Sequence, residues 1–114
     1  MSNTPAASAP THSKPPHPGA LMARIRELAR QGAYSWGDHV FDRSDEREID
    51  ISDAIEVLRL GEIDGPIVAG VNTGEWKCKV TAKTDRSSRE LGVVLVVVRN
   101  EKMFLITVEW EDPK

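Results

Sequence analysis

The sequence predicts an α+β domain, with N-terminal helices packed on an antiparallel β-sheet. Two observations predict it. Apolar residues recur at helical spacing in the first half of the chain. They then recur at a period of two from Trp76 onward. Helices first and a meander of strands afterwards imply helices laid on an antiparallel sheet.

The elements follow in order. Ala20 to Arg30 reads as a helix, because Leu21, Ile25 and Leu28 share a face and Ala23 and Ala29 favour the state. Gly32 sits where a C-terminal cap belongs. Asp38 to Arg47 reads as a second helix, with Asp38 near its positive end. Val40, Phe41 and Ile49 are its apolar anchors. Ser52 reads as the cap of a third helix, Asp53 to Leu60, with Ala54, Ile55 and Leu58 inward and Gly61 as its end.

Ile67 to Val71 is a short strand candidate. Trp76, Cys78, Val80 and Ala82 then alternate with Lys77, Lys79, Thr81 and Lys83, a half-buried strand with a cationic outer face. Thr84 to Arg89 is a polar loop. Leu91 to Val98 is almost wholly apolar and β-branched, so it reads as a central strand buried on both faces. Arg99 to Lys102 is a hairpin connection, and Met103 to Trp110 is the last strand. Val94, Val96, Phe104, Ile106 and Leu58 are the expected core.

The chain has 114 residues, enough for one domain with a modest core. Residues 1–18 differ from the rest, with five prolines, two histidines and no large apolar residue after Met1. That stretch reads as a disordered tail, leaving 19–114 as a single domain. It lacks the apolar stretch of a signal peptide, and Val93 to Val98 is too short to span a membrane. Cys78 is the lone cysteine, which excludes an intramolecular disulfide and suits the cytoplasm.

Net charge is −3, unlike a typical nucleic-acid binder, but its distribution is polarised. Asp38 to Asp64 holds ten acids and three arginines, whereas Glu75 to Lys102 holds seven bases and four acids. No Gly-rich phosphate loop, Cys-x-x-Cys pair or histidine pair at metal-ligand spacing is present, so neither cofactor nor zinc is expected. Cys78 reads as a buried structural thiol. Trp36, Trp76 and Trp110 read as packing residues.

Two constellations could carry chemistry. His39, Arg43 and Arg47 stand at i, i+4 and i+8, so a helix would place an imidazole beside two guanidinium groups, a set suited to phosphate. Local ion pairing with Asp42, Asp45, Glu46 and Glu48 is the structural alternative. Lys77, Lys79 and Lys83 share one strand face and could follow an RNA backbone, or could simply keep the sheet soluble.

His39, Arg43, Arg47-Glu48-Ile49, Ser52-Asp53-Ala54-Ile55 and Leu60-Gly61-Glu62-Ile63 resemble a family of small uncharacterised bacterial proteins. The resemblance continues through Gly74-Glu75-Trp76-Lys77, the strand from Gly92 to Val98 and Thr107-Val108-Glu109-Trp110. That family is similar to the RelE/ParE-like toxin superfamily, which includes MqsR- and BrnT-like ribonucleases. The resemblance implies a RelE-like α+β fold with a curved antiparallel sheet. It also implies a toxin–antitoxin system, with a YgiT-type zinc-finger and helix-turn-helix antitoxin as partner.

On that reading the protein is a metal-free ribonuclease of the mRNA interferase type, acting by 2′-OH transesterification. His39 moves the proton, Arg43 and Arg47 stabilise the phosphorane charge, and Lys77, Lys79 and Lys83 hold the RNA. The alternative is a non-enzymatic protein-binding module on the same fold, with the acidic Asp38 to Asp64 segment as its contact surface. The two differ in geometry. An enzyme needs His39, Arg43, Arg47 and the lysines in one concavity, and a binding module does not.

Overall fold

A computed structural model describes residues 14–84 and 88–112. Residues 1–13 of the Pro-rich tail and residues 85–87 of the polar loop lie outside the described residues. Among the described residues, three helices and six strands form an α+β domain. Helix α1 (Pro18–Gln31) leads to the short β1 (Tyr34–Trp36), and helices α2 (Val40–Arg47) and α3 (Ile51–Leu60) then lead to the short β2 (Glu62–Ile63). Strands β3 (Val68–Ala69), β4 (Glu75–Lys83), β5 (Glu90–Val98) and β6 (Lys102–Trp110) follow.

Helix α1 starts at Pro18, two residues before the predicted start and inside what reads as tail. Pro18 suits the first turn, where an amide N–H would have no helical partner, and the His17 ring accepts the Gly19 N–H at 3.0 Å. The helix buries Leu21, Met22, Ile25, Leu28 and Ala29 along one stripe. Gly32 closes it in the left-handed region at φ 72°, as its position predicts.

Helix α3 also starts earlier than predicted. Its cap is Asp50, whose carboxylate accepts the Ser52 N–H at 2.9 Å and the Ser52 hydroxyl at 2.7 Å. Asp and Ser both cap well, and a pair two apart lets the carboxylate bind the serine. Gly61 ends α3 in extended backbone rather than a left-handed turn. Its need for glycine is spatial, because a Cβ there would collide with the carbonyls of Val57 and Thr81.

The sheet order is β1-β6-β5-β4-β2, with β3 also on β4. It is mixed rather than purely antiparallel, because β1 runs parallel to β6 through Tyr34↔Met103 and Trp36↔Leu105. Strand β1 is only three residues long, so its pattern is too short to read as a strand. The long strands β4, β5 and β6 are antiparallel, as predicted.

Apart from Gly92, which lies under the Glu111 carboxylate, the buried sheet residues lie on one face. Cys78 and Val80 of β4 register with Leu95 and Val93 of β5, and these with Leu105 and Val108 of β6. The three helices cover this face, with Leu58 and Ile25 fully buried against it. Strand β5 is therefore buried on one face only. Val94, Val96 and Val98 are half-buried on the opposite, uncovered face.

The expected core residues Val94, Val96, Phe104 and Ile106 thus belong to the uncovered face or its margin, and only Leu58 is core. A run of valines carries no alternation to tell one face from the other. Strand β6 adds a bulge: Val94 faces Thr107 and Leu95 faces Leu105, leaving Ile106 without an opposite residue. The bulge lets Met103, Leu105 and Val108 all point inward.

Candidate functional site

Helix α2 carries the predicted imidazole–guanidinium set. Only Val40 and Ser44 of its eight residues are buried. His39 is the N-cap residue; its side chain makes no capping bond and is exposed. One turn on, the Arg43 N–H donates to the His39 carbonyl at 2.9 Å. The Arg43 guanidinium is exposed and reaches Glu46 at 3.4 Å, an ordinary surface ion pair.

Arg47 differs. Four residues turn a helix by about 400°, so each such step advances the side chain by about 40°. After two steps Arg47 has moved about 80° from His39, onto the stripe of Val40 and Ser44. Its guanidinium Nη1 donates to the Val108 carbonyl at 2.6 Å. The Trp110 indole N–H donates back to the Arg47 carbonyl at 2.7 Å. Strand β1 pairs β6 only as far as Leu105, and α2 shields the edge beyond. Arg47 thus satisfies an edge carbonyl that no strand reaches.

The lysines stand elsewhere. By register, Lys77, Lys79 and Lys83 project from the uncovered face of β4, opposite the helical layer. Lys77 and Lys83 are exposed and have no ion-pair partner among the described residues. Lys79 is engaged, at 2.7 Å from Glu111 and 3.7 Å from Glu109. Its hydrogen bond to Glu111 raises its pKa above the usual lysine value.

Arg47 and Lys79 both line a cleft of about 630 Å³ at the end of β6, together with Arg89. Arg89 stacks over the Trp110 ring at 4.3 Å and bonds Asp112 at 3.2 Å. Glu46, Glu48, Glu109 and Glu111 line the same cleft, so carboxylates outnumber cations there. His39, Arg43, Lys77 and Lys83 do not line it. The predicted residues therefore divide into exposed His39 and Arg43, a structural Arg47 that shares a cleft with the ion-paired Lys79, and Lys77 and Lys83 on the far face.

Two features escaped the sequence. Phe41 reads as an anchor but is 50% exposed, leaning on Trp36 with ring centroids 5.5 Å apart. Asp38, Asp42 and Asp45 flank it at helical spacing, all exposed and without an ion pair among the described residues. The signal was present in the spacing 38, 41, 42 and 45. The second feature is the uncovered sheet face, where Phe104 is 44% and Val68 46% exposed.

Cys78 is buried, and desolvation pushes its thiol up to about 12. Among the described residues, no three His, Cys, Asp or Glu side chains are grouped to hold a metal ion. No described helix is long and apolar enough to cross a membrane. No family model, curated protein or solved structure matches the chain.

Proposed function

We propose that this protein is a protein-binding module that presents the outer surface of α2 to a basic partner. One observation carries the reading: a half-exposed Phe41, backed by Trp36, stands among the carboxylates of Asp38, Asp42 and Asp45, which have no ion pair among the described residues. An aromatic anchor rimmed by charge is how interfaces combine affinity with selectivity. The matching partner surface is an apolar side chain flanked by lysine or arginine. A cytoplasmic setting fits the lone thiol.

A second reading is the metal-free ribonuclease toxin with a co-encoded zinc-finger or helix-turn-helix antitoxin. It draws support from the resemblance and from exposed His39, which sits one turn from Arg43 with no capping bond of its own. It must work without Arg47, whose guanidinium is bound to Val108, and with Lys77 and Lys83 on another face.

One pair of measurements separates the two. Purified protein is incubated with RNA in EDTA, alongside His39→Ala. It is also titrated with a lysine-rich amphipathic helical peptide, followed by intrinsic tryptophan fluorescence. The binding reading expects intact RNA, and peptide affinity weakened at least tenfold by Asp42→Lys with Asp45→Lys. Cleavage by the wild type that His39→Ala abolishes would establish the nuclease instead.

A further inference from the structure

The register of the sheet gives its uncovered face a self-complementary pattern. Glu75 of β4, Val98 of β5 and Lys102 of β6 form one row across it. Lys77, Val96 and Phe104 form the next. Lys79, Val94 and Thr107 form the third. A strip of half-buried valines thus runs along β5, with β4 contributing cations on one side and β6 the exposed Phe104 on the other.

Glu75 and Lys102 carry the opposite charges of the first row. Glu75 and Lys102 are two strands apart, roughly 10 Å at normal strand spacing. Lys102 and Lys77 have no ion pair among the described residues. The Glu75 carboxylate is held in place by the Asn72 backbone and side-chain amides at 3.0 and 2.9 Å.

A two-fold axis laid along β5, between two facing sheets, brings β4 of each copy over β6 of the other and keeps each row opposite itself. The fixed Glu75 carboxylate then faces Lys102 of the second copy. Lys77 faces the ring of Phe104, a cation–π arrangement. The valines of β5 meet their own counterparts. Facing sheets pack about 30° off parallel, and long lysine side chains absorb that offset.

Edge pairing is the other way a sheet recruits a chain, and here it is obstructed. Strands β2 and β3 are two residues each, and β1 is three residues beside α2. We propose that the uncovered face of β4, β5 and β6 is the interface of an isologous dimer of this chain, with Glu75 paired to Lys102 and Lys77 to Phe104 across the two-fold. The surface is distinct from α2, so this dimer stands or falls independently of the partner-binding reading.

The test is sedimentation of the full chain up to about 0.5 mM, because a patch of this size associates weakly. The wild type is expected to dimerise. Val96→Glu, Lys102→Glu and Glu75→Lys are each expected to stay monomeric while keeping a cooperative thermal melt. An equimolar mixture of Lys102→Glu and Glu75→Lys chains should form a heterodimer at least tenfold tighter than either self-association, because both cross-pairs then regain opposite charges. If Glu75→Lys does not fold, Lys77→Glu mixed with Phe104→Lys tests the next row in the same way. A monomeric wild type at the highest concentration, undiminished dimerisation of Val96→Glu, or a mixture that fails to associate each overturns the proposal.

Discussion

Trp110 donates its indole N–H to the backbone carbonyl of Arg47 at 2.7 Å, and the Arg47 guanidinium donates to Val108, two residues from that tryptophan, at 2.6 Å. The two bonds fasten the last turn of α2 to the end of β6. They occupy the residue that spacing alone places in a phosphate site. The same pairing explains how an eight-residue helix with one buried aliphatic side chain holds its position.

Arg47→Ala is expected to destabilise the fold by about 1–3 kcal/mol, the usual cost of leaving a partly buried acceptor without its charged donor. His39→Ala and Arg43→Ala should change stability by less than about 0.5 kcal/mol, as exposed substitutions do. Urea unfolding of the three variants checks this. Equal losses at all three positions would mean that they act as one cluster.

The two faces of β5 should separate cleanly in a truncation series. Leu95→Ala removes a fully buried side chain and should cost about 2–5 kcal/mol. Val96→Ala, on the uncovered face, should cost less than about 1 kcal/mol at concentrations where the chain is monomeric. Comparable losses at both positions would place a covering layer on the second face.

Those faces also mark where the sequence stops being readable. Strand β4 alternates lysine with apolar residues, so its inner face is legible without a structure. Strand β5 offers valine at nearly every position, and only packing against α3 decides which valines are core. In β6 the extra residue Ile106 changes the phase partway along, which no simple period contains. The site behaves similarly. Histidine and arginine at i, i+4 and i+8 look like one face until the 40° drift per step carries Arg47 under β6. Phe41 reads as buried because aromatic residues usually are, and the acidic residues around it identify its outward position only in retrospect.

Backbone strain gives a third prediction. Glu48 ends α2 in the left-handed region at φ 57°, donating to the carbonyls of Asp45 and Ser44. A glutamate there is strained by roughly 1 kcal/mol, whereas glycine adopts the conformation freely. Glu48→Gly should therefore raise stability by up to about 1 kcal/mol, even though glycine is more flexible when unfolded. A fall in the melting temperature would show that the Glu48 side chain contributes more than its backbone strain costs.

The last prediction concerns Cys78 and pH. Burial holds its thiol neutral in the folded state, with its pKa pushed from 9.0 to about 12. The unfolded chain ionises near 9, so between about pH 9 and pH 12 the unfolded state binds fewer protons than the native state. Stability must then fall as pH rises through that window, by at most about 1.4 kcal/mol per pH unit from this group. Below pH 9 the thiol is protonated in both states and contributes no slope. Cys78→Ala should lose part of the alkaline slope, whatever its effect on absolute stability from the lost packing. Comparing slopes of urea-unfolding free energy from pH 8 to 11 isolates the effect. Iodoacetamide should also label native Cys78 at pH 8 at least a hundredfold more slowly than the unfolded chain, because the buried thiol is both shielded and protonated. Rapid labelling of the native protein, or identical alkaline slopes for wild type and variant, would place the thiol at the surface rather than under the helical layer.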